Sequence, residues 1–513
     1  MSESLLASSV TFGVYFVVMV GIGLYVYKRT TSLSDFVLGG RRLNSWVAGL
    51  SANASDFSGW LLLGLPGAIY LSGLGEAWIA VGLALGFAGS WIVIAGRLRV
   101  YTERARDARS GDEANSLTLS SYLENRFADR TGLLRGVSAV LILAFYLFYV
   151  ASGLVAMGGL FEDVFNMSGS IAVLAGMAII VLYTFLGGFL AVSYTDVIQA
   201  VMMWLALLIV PVVAIVTVVS DPSVGSGGEL SVLGGFTGAG EFSLGGVLAP
   251  VVVVSGLAWG FGYLGQPHIL ARFMGIRSVR DVRKAAGVSV SWAVSAMLLA
   301  VVMGFVGLRY FGFEEELPNA ENVFPALIQA LLNPWVAGLL LAAILAAVMS
   351  TADSQLLVAA SALTEDGYRA FVKRDASALT LVWVSRIAVI LVALAASGIA
   401  LSGNSTVMDL VGYAWAGFGA GFGPVILLSL YWKRMTWTGA LAGMLGGGLT
   451  SVIWDVLDKN VLGTGLYAMV PAVIVSFAAI YAFNGLGKVA EHMDEDFDRV
   501  DAEYRRESQG AGV

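Results

Sequence analysis

The sequence predicts an all-α integral membrane protein with about thirteen spanning helices. Three observations lead there: the composition, the length of the apolar blocks, and two interrupted spans at matching places in the two halves of the chain. Of 513 residues, 58% are hydrophobic and only 13% are charged, with a mean hydropathy of +0.82. Soluble domains carry about 25% charged residues, so that share is roughly halved. The apolar residues come in blocks of about 20, the length a helix needs to cross about 30 Å of hydrocarbon. In a soluble chain such runs would have nothing to bury against.

The spans lie near 7–27, 46–72, 75–96, 133–161, 169–188, 191–218, 246–273, 286–310, 335–364, 380–401, 406–431, 437–456 and 463–484. The first has Glu3 rather than a basic cluster before it and no small-residue cleavage pattern after it, so it reads as a spanning helix and not a signal peptide. Gly-rich joints at 72–75 and at Gly187-Gly188 make antiparallel neighbours of the spans they connect. The longest connection runs from Arg97 to Thr131, and Ser120 to Arg126 within it suits a short amphipathic helix. A single transmembrane domain thus covers 1–487, and the acidic stretch Glu491 to Glu507 makes 488–513 a solvated tail.

Lys and Arg are retained on the cytoplasmic side of spanning helices. Alternate loops hold Lys28, Arg29, Arg41 and Arg42; Arg97, Arg99, Arg104, Arg106 and Arg109; Arg277, Arg280, Arg283 and Lys284; Arg369, Lys373 and Arg374; and Lys433 and Arg434. On the opposite side only Arg309 and Lys459 stand, and 221–241 has no positive charge. The expectation is an outside N-terminus and a cytoplasmic C-terminus.

Several functions are disfavoured. Without cysteine there is no disulfide, thiolate metal site or cysteine nucleophile. The net charge of −7 argues against nucleic acid. Gly487-Lys488 is followed by Val489 and lacks the upstream glycine of a phosphate loop, so no nucleotide is expected. Gly417, Gly419, Gly421 and Gly423 lie in an apolar span and suit close helix packing. His268 is the sole intramembrane histidine and has no partner cluster, so no enzyme is expected.

The second span places Ser51, Asn53, Ser55, Asp56 and Ser58 before Gly59, Gly64, Pro66 and Gly67. Such a run is tolerated at membrane depth only where backbone unwinds against protein or a watery cavity. The seventh carries Gly256, Gly260, Gly262, Gly265 and Pro267. The two lie about 200 residues apart, each opening a group of five spans, with repeats near 46–218 and 246–456. Paired interruptions of this kind mark an inverted-repeat transporter with its site near the midplane. Asp56, the carboxylate well inside its span, is a functional candidate by its depth alone. In the ninth span Ser350 and Thr351 follow Ala347 by three and four residues, on one helical face. Two hydroxyls and a nearby carbonyl are neutral oxygens of the kind a hard cation such as Na+ takes. The alternative is that both hydroxyls bond back to their own helix.

Six motifs carry a resemblance to the sodium/solute symporter family: DFVLGGR (35–41), LSANASDFSGWLLLGLPGAIYLSG (50–73), YTFLGGFLAVSYTD (183–196), GYLGQPHILARFM (262–274), NPWVAGLLLAAILAAVMST (333–351) and YAWAGFGAGFGP (413–424). The resemblance runs from about Val10 to Gly487 and thins in the loops at 103–115 and 219–245. It implies a LeuT-like core of ten helices in two inverted groups of five, with one extra helix before and two after. It also implies Na+-coupled uptake of L-proline, with another small solute of the family (pantothenate, a sugar or a carboxylate) as the alternative. By motif, the ion would take the carbonyls of Ala54, Phe57 and Ala347 and the hydroxyls of Ser350 and Thr351, and Asp56 would serve Na+ affinity. The solute would meet Trp259, Tyr263 and Pro267, completed by Tyr149, Gly59 and Trp60, with Ser58 beside Asp56. A channel or membrane sensor is the rival from another class.

Overall fold

The computed structural model describes residues 2–27, 33–104, 106–108, 115–221, 236–237, 241–242, 244–312, 317, 319–403, 405–489 and 491–509. Lys28, Arg29, Arg109 and most of 221–241 therefore lie outside the described residues. After α1 (Glu3–Tyr27) comes the first interrupted span, α2 (Ser45–Asp56) and α3 (Leu65–Ser72), joined by a π-turn at Trp60–Gly64. Then follow α4 (Ala77–Ser90), its continuation α5 (Gly96–Arg104), the short α6 (Leu119–Arg126), α7 (Leu133–Phe165) and α8 (Gly169–Ser220). The second interrupted span is α9 (Pro250–Ala258), a 3-10 turn at Trp259–Leu264, and α10 (Pro267–Gly275). The longer helices that follow are α11 (Val279–Phe311), α12 (Val323–Leu331), α13 (Pro334–Ser361), α14 (Ala378–Ala400), α15 (Val407–Tyr431), α16 (Trp437–Leu457), α17 (Met469–Phe483) and α18 (Glu491–Ser508), besides the short helices Leu33–Leu38 and Leu244–Val247 and a π-turn at Ala362–Val372. Among the described residues the one sheet is a ribbon of two-residue strands, Phe236–Thr237 and Glu241–Phe242.

By length and apolarity, ten helical runs among the described residues can cross a membrane, with Gly169–Leu182 and Pro250–Leu264 as shorter apolar helices. That measure gives ten where the sequence suggests thirteen, partly because helical turns persist through some joints. Trp60–Arg104 counts as one run although Gly73 reverses it with φ 77°. The Gly187-Gly188 joint is real: Gly188 has φ 61° and ψ −178° inside α8, a conformation costly for any residue with a Cβ.

The two halves pack reciprocally. The interrupted span α2/α3 lies along α11 of the second half, and α9 with its 3-10 turn lies along α4 of the first. At the second crossing a Cβ on Gly86 would collide with the backbone of Gly260, and one on Gly260 with the carbonyl of Gly82. Backbones meet there with no side chain between them, as small-residue contacts permit in membranes. α13 runs through the centre, buried almost continuously from Leu340 to Ser361. The outer surface carries exposed Val17, Leu85, Ile92, Val140, Val219 and Ile474. In water such a surface would aggregate; against lipid it is the expected exterior.

The basic loops gather at one end. The Arg41 guanidinium donates to the Met274 carbonyl at 2.6 Å and the Ser116 carbonyl at 2.9 Å. Arg126 reaches the Ser429 carbonyl at 2.7 Å, and Arg135 pairs with Glu124, Glu365 and Asp366 at 3.0, 3.2 and 2.8 Å. α6 is a short helix as expected, and it is largely buried.

The acidic tail is the main departure from the sequence reading. Glu491–Ser508 is a helix docked on this basic end, with Asp501 on Arg97 at 2.7 Å, Glu503 on Arg104 at 3.2 Å and Asp498 on Lys433 at 2.8 Å. Met493, Phe497, Val500 and Tyr504 recur at helical spacing and turn inward; Val500 is 1% exposed. High charge hid an amphipathic stripe that only the basic loops could complete.

Gly86→Ala should destabilise the protein by about 1–3 kcal/mol, the usual cost of overpacking. Gly89→Ala, on the same helix with open space around it, should be neutral or slightly stabilising. Thermal melts of the two purified variants check this; equal melting points would contradict the crossing.

Candidate functional site

α2 stops at Asp56, and the break leaves the carbonyls of its last turn without intrahelical donors. Phe57 leaves the helix with ψ 83°, and the Ser58 N–H turns back to the Asp56 carbonyl at 2.9 Å. Carbonyls at a helix C-terminus lose their intrahelical partners, and inside a bilayer water does not replace them. Side chains do so here. The Trp60 indole donates to the Asp56 carbonyl at 3.0 Å. The Ala54 carbonyl receives two hydroxyls from α13, Ser350 at 2.7 Å and Thr351 at 3.2 Å.

Those hydroxyls also lie 3.0 Å and 3.2 Å from the Ala347 carbonyl. Bonding back to their own helix is therefore part of the geometry, but not all of it. Each hydroxyl has one hydrogen and stands within bonding distance of two carbonyls. The cluster thus holds more acceptor capacity than its two hydrogens fill. All four oxygens are neutral and buried, and they sit at the negative end of the α2 dipole, which favours a cation. Among the described residues no group of three His, Asp or Glu side chains could hold a metal. The structure brings Ala54, Ala347, Ser350 and Thr351 together. Phe57 is fully buried at the break, with its ring against Trp60 and Trp292.

The second interruption has a different cause. Gly262 lies where any Cβ would strike the Trp415 indole, and Gly265 where one would strike the Phe418 carbonyl. Pro267 then restarts the helix at its first turn, where a missing N–H costs nothing. Between them the backbone of Trp259–Leu264 tightens to a 3-10 turn. The Trp415 indole donates to the Trp259 carbonyl at 2.7 Å and holds that turn to α15.

One contact joins the two interruptions. The Tyr263 hydroxyl donates to Asp56 Oδ2 at 2.6 Å, both groups being fully buried. Asp56 Oδ1 is buried without a hydrogen-bond partner among the described residues, and so are both side-chain polar atoms of Gln266. Leaving such groups unpaired in a buried position is costly. Aromatic rings pack around Tyr263, the partner of Asp56. Tyr263 stands edge-on to Trp415 at 5.0 Å and tilts on Phe87 at 4.8 Å. Tyr149 meets Trp415 and His268 edge-on. Gly59 faces Ala156 and Val348, and Ser58 accepts the Trp60 N–H at 3.3 Å. The side-chain hydrogen bond of Asp56 runs to Tyr263 rather than to the hydroxyl pair.

The sequence reading did not single out Gln266, Trp415 or the ion pair below them. Arg272 on α10 is fully buried and donates to Ser354 at 2.5 Å, Ser51 at 3.2 Å, Asp196 at 3.3 Å and the His268 carbonyl at 3.1 Å. This knot ties α2, α8, α10 and α13 together. Asp196 and Arg272 lie at the ends of two quoted motifs; their pairing could not be read from positions 76 residues apart.

The Sodium:solute symporter family model matches residues 36–447. Over 501 residues the chain is 47% identical to the sodium/proline symporter of Escherichia coli strain K12, with 96% of each chain covered. It is 43% identical over 464 residues to the high-affinity proline transporter PutP of Bacillus subtilis strain 168, covering 90% of this chain and 94% of that one. A Na+-coupled sialic acid symporter solved in a substrate-bound outward-open state has the same fold, with a TM-score of 0.72, 17% identity, and coverage of 94% of this chain and 99% of that one. On the extent of these matches, the chain belongs to the sodium:solute symporter family.

Proposed function

We propose that the chain imports L-proline with Na+ across the bacterial cytoplasmic membrane by alternating access, with its N-terminus outside and its C-terminus in the cytoplasm. The observation that carries this reading is the joint site: four neutral oxygens between α2 and α13, with a carboxylate two residues beyond Ala54 hydrogen-bonded to the other interrupted helix. Na+ is held by the carbonyls of Ala54, Phe57 and Ala347 and the hydroxyls of Ser350 and Thr351. Proline packs its ring among Trp259, Tyr263 and Tyr149, against Pro267, Gly59 and Trp60. Its carboxylate takes free backbone N–H groups at a half-helix N-terminus, and its ammonium suits the open oxygen of Asp56. The relatives' names support proline as the solute, and the gathering of basic loops at one end supports the orientation.

Coupling follows from shared structure. Na+ draws α2 onto α13, which orders the turn that carries Asp56; Asp56 in turn holds Tyr263. Each ligand then preorganises the site of the other, and the gain is reciprocal. The membrane potential adds about 2.3 kcal/mol per charge per 100 mV to the concentration gradient.

Proteoliposomes loaded without Na+ should accumulate labelled proline only under an inward Na+ gradient, and unlabelled proline should compete better than other amino acids. Accumulation that ignores Na+ would sink the proposal. Ser350→Ala and Thr351→Ala should each raise the Na+ concentration for half-maximal uptake about tenfold or more, since losing one oxygen ligand of the ion is comparable to losing a hydrogen bond to a charged group, about 1.5–3 kcal/mol. Unchanged Na+ dependence in both removes the pair from the ion site. Trp259→Leu and Tyr263→Leu should raise the half-saturating proline concentration about tenfold while Na+ binding, read by calorimetry without proline, stays near wild type. A loss of Na+ affinity instead would reverse the assignment of the two sites.

A further inference from the structure

A cavity of about 460 Å³ enters the protein at the end opposite the docked tail and reaches Trp259. Tyr467, in the short segment between α16 and α17, closes over that residue. Its ring lies parallel to the Trp259 indole, 4.8 Å away at 11°. Its backbone N–H donates to Ser255 Oγ on α9 at 3.0 Å, and its hydroxyl donates to the Gly412 carbonyl on α15 at 2.8 Å. One residue thus covers the outward face of Trp259 and ties together the two helices that flank the cavity. Trp259 is left 6% exposed.

The segment that carries Tyr467 is held in shape from behind. Asp458 accepts the N–H groups of Thr464 at 2.9 Å and Gly465 at 3.0 Å, and the Trp454 indole donates to the Leu466 carbonyl at 2.9 Å. Gly463 and Gly465 take φ 61° and 67°. The ring is therefore presented by a fixed turn rather than by a free loop, and the helices on either side of it follow the ten-helix core.

We propose that Tyr467 is the latch of the solute site, closing it over Trp259 and gripping α9 and α15 when the entrance is shut. This rests on the assignment of Trp259 to the solute site. Opening the entrance requires the ring to leave the indole, or α9 and α15 to part, and either movement breaks the Tyr467 hydrogen bonds. Solute that packs on Trp259 is then trapped by the return of the ring, so Tyr467 acts on solute through Trp259 and is a positioning residue.

The chain has no cysteine, so Met408→Cys on the cavity wall is a clean reporter for a membrane-impermeant maleimide. In that background and without solute, Tyr467→Phe, which keeps the ring and removes the hydroxyl, should speed alkylation about five- to tenfold. Ser255→Ala, which leaves Tyr467 intact, should speed it about two- to threefold. In uptake assays on proteoliposomes Tyr467→Phe should raise the half-saturating proline concentration severalfold with the maximal rate per transporter retained. A merely structural role would lower the amount of folded protein and leave both ratios alone. Wild-type alkylation rates in both variants overturn the latch. Should the Tyr467 variant not reach the membrane, Ser255→Ala alone decides. Because alkylation is read without proline, a wild type that fails to transport proline sinks the functional reading, while the alkylation rates still test the latch.

Discussion

Inside a bilayer every backbone carbonyl needs a donor, and this protein is organised around the few that have been denied one. The C-terminal turn of α2 ends in mid-membrane with carbonyls that no helix continues to satisfy. Lipid would make that break prohibitively costly. Hydroxyls of α13 and the Trp60 indole make it tolerable, and in the proposed function the same oxygens hold the ion. Stability and function draw on one set of atoms, so the site cannot be strengthened as a helix without being lost as a binding place.

The two interruptions communicate because Asp56 and Tyr263 meet across them. A buried carboxylate with one oxygen satisfied and one open is poised between structural and ligand roles. Below it, the Arg272 knot supplies the rigid reference. A fully buried guanidinium with one carboxylate and three further oxygens is geometrically demanding and loses heavily if one partner is removed. It pins α2, α8, α10 and α13 at one level, and the turns above can reorganise against it.

Reciprocal packing explains how two unwound helices keep their places. Each interrupted span lies along the helix that follows the interruption in the opposite half, and glycine at the crossing lets the backbones touch. Close backbone contact yields dispersion energy over many atoms without long side chains that would have to rearrange. At the basic end the α18 helix spans α5, the start of α11 and the loop after α15, neutralising arginines that would otherwise repel one another.

The count of thirteen spans is not reproduced, ten helical runs qualifying among the described residues, whereas the sequence by itself determined the class, the two interruptions and the presence of a hydroxyl pair on α13. Those are local properties: apolar length, glycine and proline, and polar residues at membrane depth each carry their cost in the residue itself. The tertiary structure decided what those residues meet. The Ala54 carbonyl and Ser350 are 296 residues apart, Asp56 and Tyr263 are 207 apart, and no periodicity encodes either pairing. The tail shows the same limit from the other side, since Met493, Phe497, Val500 and Tyr504 form a stripe only when basic loops elsewhere neutralise the acids between them. Local sequence sets the cost of a polar group in lipid, and only the assembled helices supply the partner that offsets it.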